Sequence, residues 1–117
     1  MMTHNEVTCV VEGLSQSYAN GLERVELYVY SQDDIASVEK PRPKERITIT
    51  FSTEHGDYEG GLRNNLDQYP YVCPDLRSKA DDTKASLAQI LKDNGFKPGD
   101  RLRVRIDGRT WTLLGLA

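Results

Sequence analysis

Residues 96–117 read FKPGDRLRVRIDGRTWTLLGLA. Apolar and polar side chains alternate on both sides of Asp107-Gly108, the pattern of two half-buried strands joined by a tight hairpin turn. With Asp107-Gly108 as the turn, Ile106 faces Arg109, Val104 faces Trp111 and Leu102 faces Leu113. One face is then a core of Leu102, Val104, Ile106, Trp111 and Leu113. Arg105, Arg103 and Arg101 point the other way, beside Thr110, Thr112 and Leu114. Together with Arg109 at the tip they are the candidate ligand-binding residues, because guanidinium groups grip phosphates and carboxylates through charge-assisted, often bidentate bonds. The competing reading is a solvated strand face whose long stems cover an apolar floor.

Working backwards, ADDTKASLAQILKDNGF (residues 80–96) predicts one packed helix over about 82–94. Asp81 or Asp82 offers the N-cap, and Leu87, Ile90 and Leu91 form an i, i+3, i+4 stripe. Gly95 fits the position just past the helix end, with Phe96 folding back on the stripe. The YPYVCPDL segment (69–76) is bracketed by Pro70 and Pro74, which confines it to an edge strand or an extended connection. In RITITFSTEHGDYEGGLRNN (46–65), Ile47, Ile49 and Phe51 share one face of a second hairpin. With His55-Gly56 at its tip, Phe51 lies opposite Gly60 and Ile49 opposite Leu62, which keeps apolar residues together. Gly60-Gly61 then marks a bulge or close packing against Phe51.

Residues 6–15 and 22–31 alternate in the same way and read as strands around the turn dipeptide Asn20-Gly21. Val25, Leu27 and Val29 face the core; Glu26, Tyr28 and Tyr30 face away. The stretch at about 31–45 is polar, carries Pro41 and Pro43 and reads as a mobile surface loop, with a short helical turn around 34–38. These pieces predict one α+β domain over residues 1–117: a mostly antiparallel, strongly bent sheet or partly open small β-barrel of about six or seven strands with one packed helix.

At 117 residues, 38% hydrophobic and 28% charged, the chain is of the soluble globular class. No apolar run approaches the roughly 20 residues of a bilayer span, so no membrane association is expected. MMTHNEVTCVVEG lacks the basic start and apolar stretch of a signal peptide, which predicts a cytoplasmic location with Cys9 and Cys73 as reduced thiols. Residues 1–57 hold 5 Lys/Arg against 10 Asp/Glu, and residues 58–117 hold 10 against 8; the balances of -5 and +2 add to the net -3. Such a chain is disfavoured for sequence-independent nucleic-acid binding, which draws its affinity from neutralised phosphates.

Catalytic candidates are confined to STEHGDYE (52–59), where His55 and Asp57 could form an acid/base pair. A hairpin tip supplies no pocket, however, and no nucleophile motif accompanies them. His4, His55, Cys9 and Cys73 lack the short paired spacings of a zinc site, and no glycine-rich phosphate loop precedes a helix. No metal and no cofactor are expected. The ranking that follows puts a non-catalytic binding or adaptor domain first, acting through an exposed sheet face or a dimer interface. A nucleic-acid-binding barrel comes second, with the arginines beside Tyr28, Tyr30, Tyr58, Tyr69 and Tyr71 as a stacking face. A small acid/base enzyme at His55 comes third. The expected partner is a second copy of the chain, paired at an unpaired sheet edge, or another protein.

Overall fold

The computed structural model describes residues 5–117. In chain order the elements are β1 (Asn5–Ser17), β2 (Glu23–Tyr28), α1 (Gln32–Ile35), β3 (Ile47–Thr53), β4 (Gly56–Asn64), β5 (Pro70–Val72), β6 (Asp75–Ser78), β7 (Lys84–Ser86), α2 (Leu87–Asp93), β8 (Arg101–Asp107) and β9 (Thr110–Leu116). The sheet order is β3-β9-β8-β1-β2-β5-β4-β6-β7, and β3 also pairs with β4. Seven strands therefore close on themselves, while β6 and β7 extend from β4 outside the ring. The expected small α+β barrel of seven strands is thus present, and its ring is closed. A parallel pairing of β3 with β9 seals it, with Phe51 opposite Trp111 and Thr50 N–H donating to the Arg109 carbonyl at 2.8 Å.

Inward-facing residues of every stave meet in one core. Trp111 and Phe51 are the largest fully buried side chains, joined by Leu27, Ile49, Leu62, Leu87, Leu91 and Leu102. Aromatic groups of this size are worth about 3–5 kcal/mol each relative to alanine. Val25, Leu27 and Val29 are buried as the alternation requires, and Glu26, Tyr28 and Tyr30 lie on the outside. The α2 helix packs against β2 and β7, with its Leu87, Ala88, Ile90 and Leu91 buried in the core.

Both long hairpins keep the expected faces but turn one residue away from the expected tip. In β8–β9 the tip is Gly108-Arg109, with Asp107 opposite Thr110, Ile106 opposite Trp111 and Val104 opposite Leu113. Arg105 thus lies beside Thr112 and, past a bulge, Arg103 beside Gly115. In β3–β4 the tip is Glu54-His55, so Phe51 faces Tyr58, Ile49 faces Gly60 and Ile47 faces Leu62. Moving a tip by one residue displaces each partner by two, which preserves the inside and outside of a strand. Gly60 consequently meets Leu76, not Phe51: a Cβ there would lie 3.0 Å from Leu76 Cδ2.

Three further expectations are corrected. The segment 70–72 is not an edge: β5 pairs with β2 on one side and β4 on the other. Pro70 is tolerated because it is the first residue of the strand, and its carbonyl still accepts the Val29 N–H at 3.0 Å. The helix begins at 87, not 82, because residues 84–86 are taken up as β7 against β6. Ser86, not Asp81 or Asp82, caps it, accepting the Gln89 N–H at 3.1 Å. Segment 31–45 is tied to the barrel: Val38 and Pro41 are buried, and the Asp34 carboxylate accepts the Thr8 N–H at 3.1 Å.

Candidate functional site

Strand order places β5 beside β2, and this juxtaposition builds the most distinctive feature of the outer surface. Tyr28 pairs with Tyr71 across the two strands, and Tyr30 and Tyr69 extend the same face by one step each. The four rings form a quartet. Tyr28 stacks on Tyr30 (centroids 5.3 Å apart, 5° between planes) and on Tyr71 (5.0 Å, 24°). Tyr30 meets Tyr69 edge-on at 4.9 Å and 77°. All four residues are half-buried.

Two carboxylates bound the quartet. Tyr28 Oη donates to Glu26 Oε1 at 2.9 Å, and Tyr30 Oη donates to Glu12 Oε2. Glu12 and Glu26 are themselves opposite each other on β1 and β2. Burial first, and then these carboxylates, hold the Tyr28 and Tyr30 phenols well above the usual tyrosine range. Burial also raises the Glu26 carboxyl above its ordinary value. Each carboxylate uses one oxygen on its tyrosine, and an ionised carboxylate has acceptor capacity for several donors.

Arginines stand at both ends of the tyrosine row. Register across the sheet runs Arg101, Val10, Tyr28, Tyr71, Arg63, so Arg101 is two strand spacings, roughly 10 Å, from Tyr28. Arg101, Arg103 and Arg105 are exposed on the outer face of β8, and Arg103 reaches Glu6 at 3.6 Å. Arg109 is separate from them. Its Nε and Nη2 each contact the Glu39 carboxylate at 2.8 Å, a bidentate clasp between the β8–β9 tip and the 31–45 segment. The Arg109 hydrogen bond draws the Glu39 carboxyl below its ordinary range.

His55 is exposed at the β3–β4 tip, where its backbone N–H donates to Thr53 Oγ1 at 3.1 Å. The Asp57 carboxylate is engaged by Ser52 Oγ at 2.7 Å. Cys9 is buried in the core and burial pushes its thiol pKa up; Cys73 is half-buried outside β5. Both thiols are free. His4 lies outside the described residues. Among the described residues no group of three or more His, Cys, Asp or Glu gathers around a common point.

A concavity of about 520 Å³ lies where β6 and β7 leave the barrel. It brings Arg46, Arg77 and Lys84 near Glu59 and Asp75. Asp75 is already held by Arg24 at 3.1 Å and by the Tyr18 hydroxyl at 3.2 Å, and Arg77 by the Asp82 carbonyl at 2.8 Å. The ion partners of Asp75 and Arg77, Arg24 and Asp82, stand outside the crevice lining.

Sequence reasoning names Tyr28, Tyr30, Tyr69 and Tyr71 as neighbours of the arginines and also includes Tyr58, which sits apart on β4 and packs against the core. It misses Glu12, Glu26 and Arg63. Alternation shows that Glu26 shares a face with Tyr28, but only the β1-β2-β5-β4 order reveals that Glu12 and Arg63 flank them. Neither a family model, nor a curated protein, nor a solved structure matches the chain.

Proposed function

We propose that this chain is a non-catalytic binding domain that engages a protein partner across the outer barrel face centred on Tyr28, Tyr30, Tyr69 and Tyr71. The observation that carries this reading is the stacked quartet itself: four half-buried aromatic residues on and beside two strands, with the Tyr28 and Tyr30 hydroxyls oriented by Glu26 and Glu12. Tyrosine supplies large contact area at low conformational cost and is enriched where proteins bind proteins. The partner chemistry follows from the surroundings. Glu12 and Glu26 favour a partner segment with Lys, Arg or backbone N–H donors, and the ring edges favour proline or other apolar side chains.

The same geometry weighs against base stacking. The face-to-face contacts of Tyr28 with Tyr30 and Tyr71 occupy π surface that a nucleobase needs, and the adjoining carboxylates repel phosphate. Arginines at both ends of the row are the observation that keeps a nucleic-acid reading as second.

Selection of a random peptide library on the immobilised full chain tests the proposal. Recovered peptides should be rich in Lys or Arg next to Pro or aromatic residues. Their binding should fall at least about tenfold in Tyr28→Ser/Tyr71→Ser and stay unchanged in Arg105→Gln. Peptides whose binding ignores the tyrosine substitutions place the interface elsewhere and overturn the reading.

A further inference from the structure

An apolar pocket of about 280 Å³ opens between the inner face of the β1–β2 hairpin and α2. Its walls are Val11, Leu22, Val25, Ala88, Leu91 and Phe96. Val11, Val25, Ala88 and Leu91 are buried members of the core, while Leu22 and Phe96 are partly buried against it.

The space has identifiable causes on both sides. In the hairpin, the register shifts between Gly13 and Ser17, and Ser15 takes a left-handed conformation (φ 58). Glu23 fastens this irregularity: its carboxylate accepts the Ser15 N–H at 3.0 Å and takes up the space that a Cβ on residue 13 would need. On the helix, the residue lining the gap at 88 is alanine. The helix then stops, and Phe96 N–H donates back to the Leu91 carbonyl at 2.8 Å, which fixes the phenyl ring as a wall.

The rim of this pocket is charged. Lys92, Lys97 and Glu23 border it, and both lysines are exposed. Lys97 is committed to Asp100 at 3.1 Å; the Glu23 carboxylate accepts the Ser15 N–H but keeps its charge, so an anionic head group has to lie toward Lys92 and away from Glu23. Among the described residues Lys92 makes no ion pair, so its ammonium is left to a ligand. A concave, largely apolar site with a small number of polar groups is the usual form of a small-molecule site, and at this volume it lies just under the range of about 300–1,000 Å³ typical of drug-sized ligands.

We infer that the pocket binds a small amphipathic anion: an aliphatic carboxylate whose short chain lies against Val11, Val25, Ala88 and Leu91 and whose head group meets Lys92. The site is independent of the tyrosine quartet, which occupies the opposite, outward side of β2.

Titration of the full chain with octanoate, followed by amide chemical shifts, tests this, with octanol as the neutral comparison. Octanoate should produce saturable shifts at Val11, Val25, Leu91 and Phe96. Ala88→Leu fills the space and should weaken binding at least about tenfold; if that variant does not fold, Leu22→Phe at the half-exposed wall provides the same block. Lys92→Glu should weaken octanoate about fivefold, the scale of an exposed ion pair, and leave octanol unaffected. Three results overturn the inference: no saturable octanoate binding, binding undiminished in the filled variants, or equal loss of octanol and octanoate in Lys92→Glu.

Discussion

Gly108 is the residue on which the β8–β9 hairpin turns. Its φ of +60 suits the first central position of a type II′ turn, which needs positive φ there and not at the second position. That explains why Arg109 can follow as the second tip residue and why the tip lies one residue later than an Asp-Gly pair suggests. Valine at 108 has to enter the left-handed region with a branched Cβ, whereas asparagine tolerates it. Chemical denaturation should therefore show Gly108→Val less stable by about 1–2 kcal/mol and Gly108→Asn close to the parent. Equal midpoints for the two variants would contradict this turn. The need for glycine here is legible in the sequence, as is the buried face of each strand. The tip is not, because pairing apolar residues across the strands scores equally well in registers two residues apart. Gly60 shows the complementary case. Its glycine answers to Leu76, sixteen positions later, a neighbour that no local pattern identifies.

At the level of elements, α2 separates what is local from what is not. Its apolar stripe and its end are written in the sequence and are found where expected, with Gly95 N–H donating to Lys92 O at 2.9 Å and Phe96 N–H to Leu91 O. Its start is not, because Lys84, Ala85 and Ser86 are claimed by β6 in tertiary pairing. A local signal for the true start exists all the same: Ser86 and Gln89 have the spacing of a capping box. Asp81 instead accepts from Thr83, through both its N–H and its hydroxyl. Ser86→Ala should cost about 0.5–2 kcal/mol in chemical denaturation. A midpoint equal to that of the parent would remove Ser86 as the cap. The tyrosine quartet depends on tertiary pairing to a greater degree. Each of its residues sits on a legible outer face, but their assembly requires β5, a three-residue strand opened by a proline, to be inserted between β2 and β4.

Over the whole molecule, the acidic first half and the basic second half of the chain are interleaved by the barrel. β8 lies against β1, which sets Glu6 opposite Arg105 and within reach of Arg103. Glu39 closes on Arg109, and Arg24 on Asp75. These three ion pairs join one half of the sequence to the other, so charges distant along the chain neutralise one another on shared faces. Strand order, set by the long-range closure of β3 on β9, decides this, and charge counts along the chain cannot anticipate it. The consequence bears on polyanions. Arg101, Arg103 and Arg105 are exposed, yet Glu6, Glu12 and Glu26 stand on the adjoining staves. Phosphate contacts to such a face are few and partly opposed, whereas affinity for nucleic acid grows with each phosphate neutralised. Replacing all three arginines by glutamine should leave the melting curve nearly unchanged, since exposed ion pairs are worth about 0–1 kcal/mol. The parent chain should bind mixed single- and double-stranded oligonucleotides no better than the triple variant, in low or moderate salt. Micromolar binding by the parent that weakens steeply with salt and vanishes in the variant would reverse the ranking. The arginine row, with Tyr71 and Tyr28 between Arg63 and Arg101, would then be a nucleic-acid surface, and the carboxylates at its margin would set its orientation on the strand.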